Sequence, residues 1–149
     1  MKILLFFYEK KNNLLKLRRI IYYKLRKIQL FFPNSIYKKK QHHYLFILCP
    51  PFCGSTLLNE LLSTSYYVSS NNNIGTREGQ TLPETNDIMF NNRWDKKKTL
   101  PWGEIKKIWR NYWDLSKPIL LEKSTTNIMR LENIKHHFRP ASFLSLIHI

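Results

Sequence analysis

The sequence predicts an α/β fold built on an incomplete parallel sheet of about three strands with flanking helices. Three short apolar runs occupy residues 44–49, 118–121 and 141–147, and such runs are typical of strands that are buried on both faces. Segments with helical periodicity separate the runs, and strands that alternate with helices favour a parallel sheet. A basic helical pattern precedes the first run.

Charge is unevenly distributed along the chain. The 149 residues are 43% hydrophobic and 14% aromatic, which is enough for one core, and they carry a formal net charge of +15. Residues 1–43 contain twelve Lys or Arg and one acidic residue, whereas the remainder contains thirteen basic and nine acidic residues. We therefore expect a basic amphipathic helical leader at residues 1–43 and an α/β domain at residues 44–149.

In the leader, apolar residues recur every three or four positions between residues 12 and 32, which predicts one apolar face of a helix. The face comprises Leu14, Leu17, Ile21, Leu25, Ile28 and Phe32. Pro33 is expected to end the helix. Two alternatives remain open: the helix docks on the domain with its basic face in water, or it attaches to a membrane surface. Nucleic-acid binding is not favoured, because the leader contains no recognised binding module.

Targeting signals and cofactor-binding patterns are sparse. The longest apolar run near the start, residues 3–8, is far shorter than the roughly 18 residues that a bilayer core requires, and no secretory cleavage site follows it. These patterns predict a cytoplasmic protein or one held at the surface of a membrane. The two cysteines, Cys49 and Cys53, have no second Cys or His pair at ligand spacing, so neither a disulfide framework nor a bound metal is expected.

The remaining elements follow in chain order. Apolar residues at 55–62 predict a helix directly after the first strand, which makes the first half of a βαβ unit. Residues 63–100 are rich in Ser and Asn and predict loops with one short helix around residues 84–90. Helical spacing predicts an amphipathic helix at residues 102–115. Asn127 is expected to cap a last helix, which continues to Phe138 and is stopped by Arg139 and Pro140.

The turn between the first strand and its helix predicts an anion site. Gly54 allows close approach, and the amides and dipole of the first helical turn attract phosphate. Ser55 and Thr56 add hydroxyl donors, and either can cap the helix. A helix that begins after a strand and binds no ligand would use the same residues, so the interpretation without an anion site stays open. The turn lacks the GxxxxGK[ST] pattern, which disfavours a nucleotide kinase or ATPase.

Three segments resemble the sulfotransferase family in the right order. Similarity to the 5′-phosphosulfate loop is found in Pro51-Phe52-Cys53-Gly54-Ser55-Thr56-Leu57-Leu58. Residues 75–80 are similar to the acidic segment of the family, and residues 117–130 resemble its strand end with the pattern EK(S/T)PxN. The resemblance covers about residues 44–147. It implies the amino-terminal portion of a P-loop NTPase-like sulfotransferase architecture.

The resemblance implies transfer of a sulfuryl group, without a metal, from 3′-phosphoadenosine 5′-phosphosulfate to an acceptor hydroxyl or amine. Nucleotide binding is carried over to Phe52, Cys53, Gly54, Ser55, Thr56 and Leu57. Glu78 is implied as the general base and Lys123 as the cation that faces the leaving phosphate oxygen. From the residues alone, Glu78 could instead be a solvated carboxylate paired with Arg77, and Lys123 an ordinary surface lysine.

Departures from the family pattern weaken the predicted site. Phe52 replaces the usual Arg or Lys, Cys53 a Ser, and Thr125 a Pro. The missing loop cation removes a charge-assisted contact, a class about twice as strong as a neutral hydrogen bond. The Arg and Ser expected past the third strand, to hold the 3′-phosphate, do not occur, so we expect a truncated domain with weak nucleotide binding. The alternative is a non-catalytic basic module that binds an anionic membrane or nucleic acid through residues 1–40.

Overall fold

The computed structural model describes residues 2–91 and 93–146, with residues 2–11 described by their backbone only. Its centre is a four-stranded sheet of order β2-β3-β1-β4, in which every pair is parallel. The strands are β1 (His43–Leu48), β2 (Val68–Ser70), β3 (Ile119–Glu122) and β4 (Ala141–Ser145). The predicted parallel α/β class is confirmed. The third predicted run ends at residue 147, which lies outside the described residues.

Strand β2 was not predicted, so the expectation of about three strands is wrong by one. Val68–Ser70 is only three residues long and contains two serines, so it forms no apolar run. The strand pairs in parallel with β3, with Val68 opposite Ile119 and Ser70 opposite Leu121. It therefore forms an edge of the sheet inside the segment that the sequence assigned to loops.

Helices connect the strands. They are α2 (Ser55–Ser63), α3 (Pro83–Thr85), α4 (Trp102–Arg110) and α5 (Leu131–His137), with a π-helical turn at Asn86–Phe90 and 3₁₀ turns at Gly79–Thr81 and Thr125–Met129. The short helix expected around residues 84–90 is confirmed as α3 and the π-helical turn. The predicted cap is wrong, because Asn127 lies within a 3₁₀ turn, where its Nδ2 donates to the Glu122 carboxylate.

Large aromatic side chains dominate the main core. Phe46 of β1 is fully buried, and its ring lies 5.2 Å from that of Phe138, with the two rings edge to face. Trp109 of α4 contacts Trp113 with ring centroids 5.8 Å apart. Such edge-to-face pairs stabilise a core beyond the apolar area they bury. The next residue of β1, Ile47, belongs to a separate buried cluster, because successive strand side chains point to opposite faces.

Helix α1 (Lys2–Tyr37) packs against this domain. Its predicted end is wrong, since Pro33 lies inside the helix. Tertiary contacts hold the last turns: Asn34 Nδ2 donates to the carbonyl oxygens of Arg110 at 3.1 Å and Trp113 at 2.7 Å, and Asn34 Oδ1 accepts from the Leu115 amide at 2.8 Å. Proline removes its own amide from the ladder and its ring clashes with the carbonyl one turn earlier, and the hydrogen bonds to the domain can offset this cost.

The side of α1 that contacts the domain is not the predicted apolar face. The docked side is centred on Tyr23 and Leu30, which are buried. The predicted face is between 48% and 72% exposed at Leu14, Leu17, Ile21, Leu25, Ile28 and Phe32. Docking is therefore observed, but with apolar side chains left in water. No helix within the described residues is long and apolar enough to cross a membrane.

Candidate functional site

The turn that follows β1 has two residues in the left-handed region. Phe52 has φ 64° and Gly54 has φ 78°, and a positive φ is uncommon for any residue other than glycine. Gly54 is the N-cap residue of α2, and no side chain caps the helix. The expectation that Ser55 or Thr56 caps α2 is therefore wrong, because the helix already begins at Ser55.

The first amides of α2 are available to a ligand. The first N–H groups of an α-helix lack acceptors within the helix. In the part of the chain that the structure describes, Leu58 is the first residue of α2 whose amide bonds a backbone carbonyl, that of Gly54 at 3.2 Å. The preceding amides and the positive end of the helix dipole together make an environment that attracts anions.

Lys123 joins this turn to the segment that carries Glu78. Its Nζ donates to Thr56 Oγ1 at 3.2 Å and to the Thr76 carbonyl at 2.9 Å, and it pairs with Glu78 Oε1 at 3.1 Å. Lys123 is 2% exposed and Glu78 is 7% exposed. The ammonium group is therefore held between the loop hydroxyl and the candidate base, and the surface-lysine interpretation is wrong.

Glu78 does not pair with Arg77. The Arg77 Nε instead donates to Asn59 Oδ1 at 2.7 Å, and its NH1 donates to the Asn73 carbonyl at 3.2 Å. The second carboxylate oxygen of Glu78, Oε2, accepts a hydrogen bond from Gln80 Nε2. The interpretation of Glu78 as a solvated carboxylate is therefore wrong, and both of its oxygens have partners.

Glu122 supports the site from beneath, a role that the sequence pattern did not indicate. Its Oε1 accepts from the Gly79 amide at 2.9 Å and from Ser124 Oγ at 2.5 Å, and its Oε2 accepts from the Ser124 amide at 3.2 Å. Burial raises the pKa of the Glu122 carboxyl, although hydrogen bonds from Ser124, Asn127 and the Gly79 amide oppose the shift. The carboxylate thus ties the end of β3 to the residue that follows Glu78.

These groups surround an open pocket of about 620 Å³. Nearly all of the predicted site residues line it, namely Phe52, Cys53, Gly54, Ser55, Thr56, Glu78 and Lys123. Leu57 is the exception, because it does not line the pocket and its side chain is 62% exposed. A second cavity, of about 640 Å³ between α1 and α4, contains none of the predicted residues.

Two further cations line the pocket and were missed in the sequence. Arg19 reaches it from α1, and Arg93 reaches it from the connection after the π-helical turn. The Arg93 guanidinium carbon lies 3.9 Å from the centroid of the Phe90 ring, and its NH1 donates to the Phe90 carbonyl at 3.0 Å. No local pattern relates these arginines to the loop, because both are far from Gly54 in the chain.

The cysteines differ in environment. Cys49 is fully buried, and burial raises the pKa of its thiol to about 11. Cys53 is half-buried at the pocket, and neither cysteine is in a disulfide. Among residues 2–91 and 93–146, no group of three or more His, Cys, Asp or Glu is arranged to hold a metal ion.

No family model, curated protein or solved structure matches the chain. The function is therefore argued from the pocket and its residues.

Proposed function

We propose that the chain is a sulfotransferase, or the amino-terminal part of one, that uses 3′-phosphoadenosine 5′-phosphosulfate as its donor. On this proposal, the parallel sheet belongs to a P-loop-like sulfotransferase domain. The observation that carries it is that one pocket brings together the α2 amides, Lys123 and Glu78. Sulfuryl transfer requires donors for the phosphosulfate oxygens, a cation for the leaving phosphate and a base for the acceptor.

Each group has a defined task in the transfer. The acceptor oxygen forms a bond to sulfur while the bond between sulfur and the bridging oxygen of the 5′-phosphate breaks. The acceptor proton passes to the Glu78 carboxylate, and the charge that develops on the leaving phosphate faces Lys123. Because both side chains are nearly excluded from water, their electrostatic interactions are stronger than they would be at the surface.

Arg19 and Arg93 support the proposal because they provide charge that the loop lacks. Phe52 occupies the position where the resembled family has a cation, and its side chain is fully exposed. Both arginines line the same pocket from other elements. An arginine can contact a phosphate with two parallel hydrogen bonds, so these side chains suit an anionic nucleotide.

Nucleotide binding is tested by calorimetric titration with 3′-phosphoadenosine 5′-phosphate, with ATP as the control ligand. We expect selective binding of the first nucleotide. Gly54→Val is expected to abolish it, because the φ of 78° is costly for a β-branched residue, by about 1–2 kcal/mol, and the turn must move. Gly103→Ala, at a site with nothing within 4 Å of the added Cβ, should bind normally.

Two results would count against the proposal. The first is equal affinity for both nucleotides, or no binding of either by a sample that melts cooperatively. The sequence resemblance would then not reflect a binding site for the sulfated nucleotide. The second is a preference for ATP, which would instead favour a nucleotide kinase or ATPase.

The role of Glu78 is tested by turnover. Glu78→Gln is expected to retain nucleotide binding and to lose release of 3′-phosphoadenosine 5′-phosphate in the presence of an acceptor. Glu104→Gln, an exposed carboxylate on α4, is the matched control and should keep full turnover. Melting curves accompany both variants, because Glu78→Gln also removes a buried ion pair. Full turnover by Glu78→Gln would remove this residue from the mechanism.

A further inference from the structure

Helix α1 carries a continuous apolar stripe on the side opposite to its contacts with the domain. We define the outer face of α1 as Leu14, Leu17, Ile21, Leu25, Ile28 and Phe32, all of which are at least 48% exposed. At about 100° per residue, the outer face occupies an arc of about 80°, and Tyr23 and Leu30 lie nearly opposite. Within the described residues, nothing covers this stripe.

The outer face is a continuous patch and not a set of single, scattered apolar side chains of the kind that most protein surfaces expose. From Leu14 to Phe32 it runs about 27 Å along the helix, at about 1.5 Å per residue. Phe31 and Ile36 extend it and are 78% and 63% exposed. Contiguous apolar patches of this size on a soluble domain mark interaction surfaces.

Charge on the helix identifies the partner. Residues 12–37 contain six basic residues and no acidic residue. By helical position, the exposed side chains of Arg18 and Lys24 lie at the two edges of the outer face. An apolar stripe bordered by cations is the arrangement of helices that lie in the interface of a membrane with anionic lipids. We propose that the outer face of α1 docks on an anionic membrane surface.

Other occupants fit less well. Nucleic acid would use the basic side chains but would leave the apolar stripe uncovered. A second copy of the chain would cover the stripe, yet it would bring Arg18 and Lys24 of both copies into one interface, where like charges repel. An anionic membrane fits both the apolar stripe and the cations at its edges, because the acyl chains contact the apolar side chains and the anionic headgroups contact the cations.

The start of the helix gains most from this contact. Every side chain from residue 12 to residue 21 is exposed and none is buried against the domain, so packing supports this part of the helix little. A helix without tertiary packing is marginal in water. Because the docked side and the outer face are opposite, α1 can lie in the interface while the sheet remains in water.

The test is sedimentation with vesicles of mixed phosphatidylserine and phosphatidylcholine, with phosphatidylcholine vesicles as the control. We expect binding to the anionic vesicles and little to the neutral ones. The double variant Ile21→Asp with Ile28→Asp should lower partitioning at least about tenfold, because each change removes an apolar side chain from the interface. Leu61→Asp, at a site on α2 that is 58% exposed, is the matched control and should bind like the parent.

The cationic edges are tested separately. Arg18→Ala and Lys24→Ala should each weaken binding to anionic vesicles about fivefold. If the double aspartate variant fails to melt cooperatively, the two alanine variants and the comparison of anionic with neutral vesicles still test the proposal.

Three outcomes would overturn the proposal. The first is no binding of the folded chain to anionic vesicles, or binding that the aspartate changes leave intact. The second is a dimer that sedimentation equilibrium detects without lipid and that Ile28→Asp dissociates, because a second copy of the chain would then cover the outer face. The third is that duplex DNA displaces the protein from the vesicles, and that DNA binding depends on Arg18 and Lys24 but not on Ile21 and Ile28.

Discussion

Gly79 has no room for a side chain. A Cβ at this position would lie 2.6 Å from Asn71 Nδ2, 2.8 Å from Glu122 Oε1 and 2.8 Å from Trp109 Nε1. All three of these side chains are buried, so they cannot move aside into solvent. The amide of Gly79 also donates to Glu122, and its carbonyl accepts from Trp109 Nε1 at 3.2 Å. Close packing at Gly79 therefore holds the preceding residue, Glu78, in the pocket.

Gly79→Ala is expected to lower the free energy of unfolding by about 1–3 kcal/mol, because the added methyl group overpacks a filled site. Urea denaturation measures the change. Gly103→Ala is the control, since its Cβ meets nothing within 4 Å and alanine favours a helix by up to about 1 kcal/mol. Equal stability of the Gly79→Ala variant and the parent would mean that the packing around Gly79 can relax.

The strand-loop-helix unit around β1 and α2 places two thiols in different surroundings. Cys49 lies just beyond β1 and is fully buried, whereas Cys53 lies in the turn and lines the pocket. The thiolate is the form that reacts with alkylating reagents. Because burial raises the pKa of Cys49 to about 11, this thiol stays protonated at pH 8 and reacts only as the pH approaches that value.

Alkylation by iodoacetamide at pH 8 is therefore expected to modify Cys53 and to spare Cys49, as followed by peptide mass spectrometry. 3′-Phosphoadenosine 5′-phosphate should slow the reaction of Cys53 if it occupies the pocket. In urea both cysteines should react. Comparable rates for the two cysteines in the native protein would contradict the burial of Cys49.

Helix α1 and the sheet are linked by contacts that are distant in the chain. Asn34 makes the hydrogen bonds to α4 and its following turn, Tyr23 Oη donates to Asn72 Oδ1 at 3.4 Å, and Lys27 pairs with Glu84. Burial alone would raise the pKa of the Glu84 carboxyl. The pairing with Lys27 and a hydrogen bond from Tyr112 outweigh that effect, so the pKa of Glu84 is lowered. The second half of α1 is thus part of the same packed unit as the sheet.

Amide hydrogen exchange should divide α1 into two parts. Residues 23–34 are expected to be protected like β1, whereas residues 12–20 should exchange rapidly, because only the first group contains side chains that are buried against the domain. Asn34→Ala should reduce the protection of residues 23–34 by a factor that corresponds to about 1–3 kcal/mol. Asn13→Ala, at an exposed position, should change nothing. Uniform protection along α1 would contradict this division.

Local pattern was sufficient for much of the fold. Continuous apolar runs predicted β1, β3 and β4. Only β1 and β3 are the buried central strands, whereas β4 is an edge strand in which no residue is buried. The glycine turn before α2 was also predictable, because its conformation depends on neighbours in the chain. Six of the eight predicted site residues lie on that turn and at the start of α2.

Contacts between distant segments could not be predicted in the same way. Val68–Ser70 becomes a strand only because β3 offers it hydrogen-bonding partners, and the pairing of Lys123 with Glu78 requires the folded sheet edge. Arg19 and Arg93 enter the pocket through the packing of their elements. Periodicity in α1 revealed an apolar face but not its environment, because burial depends on which other surfaces are close in space.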